Sequence, residues 1–313
     1  MAENQQPNWQ NSIEDILHEH VKENKKRRRW GIFFKSIASI YFLVFFIMLI
    51  MPGLRASSRL TRPHASLVDI SGAIMPGSIN SADNVVSSLS KAFKDPNTKG
   101  IILRINSPGG APVQASDIYN AIFRLRKKYP NKKVYAVCSD FCASAAYYVA
   151  AATNDVYANP SSLVGSIGVL LNGFGFTGAM EKLGVSRRLI TSGDEKGFLD
   201  PFSPLKPQNK AYAKKMLNIV HQQFINDVKK GRGKRLHITP DLFSGLIWTG
   251  VQAKKMGLID GFGSAAYVAQ HVIGTKNVVN YTKKRGFIQR LSRNMGASFS
   301  HGILSTLIGS RLQ

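Results

Sequence analysis

In the stretch CSDFCASAAYYVAAA, residues 138–152, the hydroxyl of Ser144 stands among alanines, tyrosines and valine. The strand-like run KVYAVCS precedes it and a helix-like run follows, so Ser144 falls at a strand-to-helix corner. The first backbone N–H groups of a helix have no intrahelical acceptor. The small neighbours Ala143 and Ala145 leave room for a substrate backbone. Such a hydroxyl attacks a carbonyl only when a base removes its proton and donors stabilise the oxyanion. A second stretch offers donors. In INSPGGAP, residues 105–112, Ser107-Pro108-Gly109-Gly110 follows the apolar run GIILRI, which predicts a tight turn able to aim amides at a ligand. The residues around Ser144 do not form the G-x-S-x-G elbow of α/β hydrolases.

The base is less evident. A Ser-His-Asp triad needs a histidine, yet His64 falls in a linker-like stretch and His301 in the tail. His221 and His237 have polar-rich surroundings, and His271 lies near the end of the folded region, none within a local catalytic motif. Lysine is the other option. Burial disfavours its charged form, and a neutral amine accepts a proton, as in Ser-Lys variants of the triad.

These residues need a scaffold. From Leu67 to Asn280 the sequence alternates strand-like runs (LVDISGAI, GIILRINS, KVYAVCS, DVYAN, GSIGVLL, RRLITSG) with helix-like ones. Val85, Leu89 and Phe93 mark one helical face; residues 111–129 and 143–152 read as further helices. A long amphipathic run over 208–231 carries Tyr212, Met216, Ile219, Val220, Phe224 and Val228. This alternation predicts an α/β domain with largely parallel strands.

The 313 residues carry a net charge of +24, and 44% are hydrophobic, which excludes a disordered chain. The segment GIFFKSIASIYFLVFFIMLIM, residues 31–51, has one charge, Lys35, and is long enough to cross a bilayer as a helix. Lys22, Lys25, Lys26 and Arg27–Arg29 precede it, against Arg55, Arg59 and Arg62 after it, which predicts a cytoplasmic N-terminus. A cleaved signal peptide is the rival reading, but the leading polar region and the apolar run are both too long for one. The expected organisation is a basic N-terminal segment (1–30), a transmembrane helix (31–51), a linker (52–66), a catalytic domain (67–280) and a basic amphipathic tail (281–313). In the tail Phe287, Leu291, Met295, Phe299, Ile303 and Leu307 recur every four residues. No nucleic-acid motif accompanies the basic charge, so membrane lipid is the expected partner, with a solvated basic surface as the plain alternative. Two cysteines, Cys138 and Cys142, exclude a disulfide framework and a thiol-only zinc site; small buried thiols are the expected state.

SPGG after a strand, then ASAAYYVA, SSLVGSIGV, ITSGDEK and WTGVQAKKMGLIDGFGS, in that order over residues 67–270, resemble the bacterial signal peptide peptidase A (protease IV) family, in its short, single-anchor form. The resemblance implies the spiral α/β fold of the Clp protease and crotonase superfamily, preceded by one transmembrane helix. It implies a serine endopeptidase of the bacterial inner membrane, catalytic domain periplasmic, that degrades cleaved signal peptides and other membrane-associated peptides. Carried over, Ser144 is the nucleophile, Lys196 in SGDEK the base, and Ser166 in GSIGV the residue that holds the lysine amine. Gly110 and Ala145 supply the oxyanion amides, with Gly109 beside them at the substrate. In short members the lysine comes from a neighbouring protomer of a homo-oligomeric ring. No cofactor or metal is implied.

Two features depart from the family pattern. Ser144-Ala145-Ala146-Tyr147 replaces the usual Ser-Gly-Gly-Tyr, which narrows the space beside the reacting carbonyl and favours small or apolar substrate side chains. Asp194 and Glu195 directly precede Lys196, and nearby carboxylates oppose a neutral amine unless they face solvent or an interface. The alternatives are a non-catalytic, peptide-binding membrane scaffold of the same fold, or a crotonase-like acyl-CoA enzyme.

Overall fold

The computed structural model describes residue 22 and residues 25–47 and 62–283. The chain divides into two units, before and after Thr61. In the first, helix α1 (Lys25–Ile47) is long and apolar enough to cross a membrane, and its window of highest hydropathy has no buried residue. It begins earlier than the predicted span. Residues 48–51, most of the predicted linker and nearly all of the predicted tail, including its apolar stripe, lie outside the described residues.

The second unit is built on four parallel strands joined by helices: β1 (His64–Ser71), α2 (Ala82–Lys94), β2 (Thr98–Ser107), α3 (Pro112–Lys128), β3 (Val134–Ala143), α4 (Ala145–Ala151) and β4 (Asp155–Ala158). β1 starts at His64, inside the linker-like stretch, and that histidine is fully buried. A parallel pair requires a crossover, and a helix in the crossover covers one face of the sheet. In β2, Ile101, Ile102, Leu103 and Ile105 are fully buried, so both its faces are covered. The predicted stripe Val85, Leu89 and Phe93 forms the buried face of α2. Each such side chain contributes roughly 1.5–3 kcal/mol through burial.

β3 forks the sheet. Its first half, Tyr135–Cys138, pairs with β4, and its last three residues, Phe141–Ala143, pair with β5 (Leu163–Gly165). Between the halves the register with β2 shifts, and Asn106 fills the bulge. Its side chain donates to Asp140 Oδ2 at 3.0 Å and accepts the Phe141 N–H at 3.1 Å. The bulge turns the end of β3, and so Ser144, away from β4 and towards β5.

The remaining elements are α5 (Thr177–Lys182), α6 (Pro207–Arg232), β6 (Ile247–Thr249), α7 (Gly250–Lys255), β7 (Gly261–Phe262), α8 (Ala265–Tyr267) and β8 (Val278–Asn280). The sheet runs β6-β5-β3-β2-β1-β8, with β4 and β7 branching from β3; only β5–β6 is antiparallel. Arg232, at the end of α6, is fully buried and makes a two-point ion pair with Asp260, 2.7 and 2.9 Å. That pair ties α6 to the segment entering β7.

Two predicted strands are not formed. GSIGVLL yields only the end of β5, and RRLITSG yields no strand. Apart from the buried Ile167 and the half-buried Val169, their apolar residues face solvent: Leu170 is 80% and Ile190 94% exposed. A strand needs a partner for its backbone groups, and none pairs with these residues among the described residues. Similarly, of the stripe read on α6 only Phe224 and Val228 are buried, while Tyr212, Met216 and Ile219 are exposed.

Candidate active site

Ser144 ends β3 and caps α4 with φ 54° and ψ −124°, a backbone region that non-glycine residues rarely occupy. The corner is held from both sides. The Ser144 N–H donates to the Gly165 carbonyl at 2.8 Å, and its own carbonyl accepts the first helical bond, from Tyr148 N–H at 2.9 Å. α4 is buried on all sides, because AAYYVAA combines small helix formers with two aromatics, and Tyr147 Oη donates to the Leu258 carbonyl deep in the core. Strain at the serine is therefore maintained by packing behind it. The sharp strand-to-helix turn is thus present without the G-x-S-x-G pattern. Among the described residues no side chain hydrogen-bonds the Ser144 hydroxyl.

The Pro108–Gly110 turn lies directly against this corner. A Cβ on Gly109, whose φ is 124°, would stand 2.9 Å from Ser144 Cβ and 3.3 Å from Oγ. Gly110 lies against Ile74: the Ile74 N–H donates to the Gly109 carbonyl and its carbonyl accepts from Ala111 N–H, each at 2.9 Å. A Cβ on Gly110 would lie 2.1 Å from that carbonyl oxygen. These bonds bypass the Gly110 N–H, which has no backbone acceptor among the described residues. Ala145, the first residue of α4, has no acceptor within the helix.

A cavity of about 530 Å³ opens beside Ser144. It brings Gly110, Ser144, Ala145 and Ser166 together, with Tyr148, Val169, Leu170, Val220 and Phe224 as its apolar walls. Ser166 also has positive φ, 51°, and donates its N–H to the Leu246 carbonyl at 2.8 Å. The Tyr148 ring stacks on Phe224 at 4.5 Å and its hydroxyl donates to Asp227. Burial, reinforced by Asp227, raises the Tyr148 hydroxyl to about 12, so it stays a neutral donor.

Lys196 is not among the residues lining this cavity. It is exposed, in a turn at 194–199. It forms no ion pair among the described residues; Asp194 and Glu195 are exposed too, and Glu195 accepts from Gln208 at 3.2 Å. One copy of the chain thus assembles the serine, the second serine and the amides, but leaves the lysine apart.

His221 lies beside the cavity, its Nε2 3.0 Å from the Ile167 carbonyl. His64 meets the Arg62 carbonyl and Tyr281, and His237 the Lys255 carbonyl. Cys138 and Cys142 are buried free thiols, and burial, aided by Cys138, pushes the Cys142 thiol well up. Among the described residues no group of three His, Cys, Asp or Glu side chains could hold a metal ion.

Comparison with known proteins bears directly on this geometry. Residues 126–278 match the family model Peptidase family S49, and residues 65–164 match Clp protease. A protein of Synechocystis, provisionally named a protease, is 31% identical over 204 residues, 65% of this chain and 71% of its own. The chain belongs to peptidase family S49. Protease 4 of Salmonella typhi is 30% identical over 206 residues, covering 63% of this S49 chain and 32% of its own. A Brucella melitensis protein named Na(+)/H(+) antiporter NhaA is 39% identical over 236 residues, 74% of this chain. The S49 chain spans about a third of the length of the two Brucella relatives of that name. The Clp protease match agrees with the parallel-rich α/β fold, so family and fold both follow the resemblance read from the motifs.

Several residues that line the cavity were not singled out as site residues in the sequence. Val220 and Phe224 appeared only as part of a helical stripe, and that stripe was the available signal. Tyr148, Ser244 and Gly245 reach the cavity through tertiary packing, with no local pattern to mark them.

Proposed function

We propose that this protein is a membrane-anchored serine endopeptidase that hydrolyses signal peptides and other membrane-associated peptides through Ser144, with Lys196 of a neighbouring copy as base. The observation that carries this reading is the strained Ser144 at the head of α4, sharing one cavity with Ser166 and the amides of Gly110 and Ala145. The Ser144 hydroxyl attacks the scissile carbonyl while the lysine amine takes its proton. The Gly110 and Ala145 N–H groups receive the developing oxyanion. Collapse of the tetrahedral adduct breaks the C–N bond; the lysine returns the proton to the leaving amine, and water then hydrolyses the acyl-enzyme by the same relay. Ser166 steadies the amine between the two halves.

Two features support a neighbour's contribution and a homo-oligomeric ring. Lys196 is exposed and unpaired among the described residues. Leu170, Phe174, Leu183, Ile190 and Ile219 also stand exposed, and apolar side chains that gather into an exposed patch mark an interface. For the membrane, α1 supplies the span and Lys25–Arg29 the positive flank, which favours a cytoplasmic N-terminus and a periplasmic catalytic unit at the bacterial inner membrane. The Synechocystis and Salmonella typhi relatives carry protease names.

The test is covalent labelling of the full-length protein in detergent with a fluorophosphonate. Labelling at Ser144, its loss in Ser144→Ala, and loss of peptide cleavage in Ser144→Ala and Lys196→Ala are expected. Cleavage at the unsubstituted rate in either variant overturns the reading.

A further inference from the structure

Ser166 lines the cavity, and three successive backbone groups over residues 165–167 are tied to three different parts of the chain. The Gly165 carbonyl accepts the Ser144 N–H at 2.8 Å. The Ser166 N–H donates to the Leu246 carbonyl at 2.8 Å, on the approach to β6. The Ile167 carbonyl faces His221 Nε2 on α6 at 3.0 Å. Between the last two ties sits Ser166 in its left-handed conformation, φ 51°. Nothing intrinsic to serine favours that conformation, so the ties on either side must impose it. Beyond them the Ile167 side chain is fully buried, which fixes the next residue as well.

A carbonyl only accepts, so the ring nitrogen facing it carries a proton. Nε2 of His221 is therefore a donor already in use, which removes it as the base for Ser144. Protonation of Nδ1 would leave the Nε2–H bond in place. The neighbours of His221 on α6, Val220 and Phe224, line the same cavity, so the helix presents this face to the site. No other side-chain donor reaches the Ile167 carbonyl among the described residues. Without it the Ile167–Gly168 peptide loses its tie to α6 and the segment that follows Ser166 can relax, which would carry Ser166 out of φ 51° and swing its hydroxyl.

We propose that His221 is a positioning residue: by holding the Ile167 carbonyl it fixes Ser166 in the left-handed conformation that aims its hydroxyl into the cavity beside Ser144. This rests on the reading above, in which Ser166 steadies the amine that activates Ser144.

The experiment compares His221→Leu, His221→Gln and His221→Asn in the full-length protein, with a fluorogenic apolar peptide and a fluorophosphonate. Glutamine places an N–H near the Nε2 position; asparagine reaches only the Nδ1 position. His221→Leu and His221→Asn should lower kcat by about 10- to 100-fold with KM within about threefold, and slow labelling of Ser144 in proportion. His221→Gln should recover kcat to within about threefold of the unsubstituted protein. The double variant Ser166→Ala/His221→Leu should be no slower than Ser166→Ala alone, because both act through one group. If His221→Leu fails to assemble, the Gln–Asn contrast and the double variant with Asn decide in its place. Unchanged kcat in His221→Asn, a rise in KM alone, or multiplying losses in the double variant would overturn the proposal. A Ser144→Ala control that still cleaves overturns the functional reading instead, so the two failures are distinguishable.

Discussion

The backbone N–H of Ser144 donates to the carbonyl of Gly165, one residue before Ser166, at 2.8 Å. The two serines of the cavity are thereby coupled through the main chain, and each has positive φ. A displacement of β5 is transmitted to the head of α4 without any side-chain contact. Lys196 has no such tie to either serine among the described residues, and the first prediction follows from that difference.

If Lys196 serves the serine of a neighbour, two dead variants can complement each other. Ser144→Ala and Lys196→Ala, each expected to lose about 10³-fold in kcat, should regain activity when co-expressed. With random mixing in a head-to-tail ring, about a quarter of the sites combine an intact serine with an intact lysine. Peptide cleavage by the mixed assembly checks this, and absence of any recovery in a verified mixed ring would place both groups in one chain.

Gly109→Ala should damage the reaction more than the fold. The added methyl stands 2.9 Å from Ser144 Cβ on a backbone of φ 124°. Expected are a fall of about 10²-fold in kcat/KM and a stability loss of about 1–3 kcal/mol, measured by peptide hydrolysis and denaturant unfolding.

The cavity is large enough for a bulky apolar side chain, despite the methyl of Ala145. Val220→Phe should fill part of it. Cleavage after leucine or phenylalanine should then drop by about tenfold relative to cleavage after alanine, read as a ratio of kcat/KM values.

Alkaline pH should unfold the catalytic unit. Burial raises Tyr119, Tyr147, Tyr148 and Tyr281, with Asp227 adding to Tyr148 and Asp95 to Tyr281. Each keeps in the folded state a proton that the unfolded chain releases above its ordinary value of 10.0. Their contribution is complete below that pH and declines as pH rises through the raised values, for Tyr148 about 12. Thermal unfolding should show this decline, and Tyr148→Phe should make it shallower.

Asp260→Asn leaves the buried Arg232 guanidinium without its carboxylate. A loss of roughly 3 kcal/mol in stability is expected from denaturant unfolding, because the desolvated charge loses its compensation.

By itself the sequence determined the elements whose signals are local. The buried runs of β1 to β3, the face of α2, the helix α3, the apolar α1 and the corner at Ser144 all follow from periodicity and residue size. A strand with both faces covered and a helix with one buried stripe carry their environment in their composition. Family membership was legible too, in the order of its motifs.

The tertiary structure decided whatever depends on residues far apart in the chain. That GSIGVLL and RRLITSG would not form full strands depends on a missing backbone partner, which no local pattern records. The gathering of Val220, Phe224 and His221 of α6 beside Ser144 depends on how α6 crosses α4. The left-handed conformation of two non-glycine residues was invisible in the sequence for the same reason. Serine has no intrinsic preference for it, and hydrogen bonds to the Gly165 and Leu246 carbonyls and from His221, three separate parts of the chain, secure it.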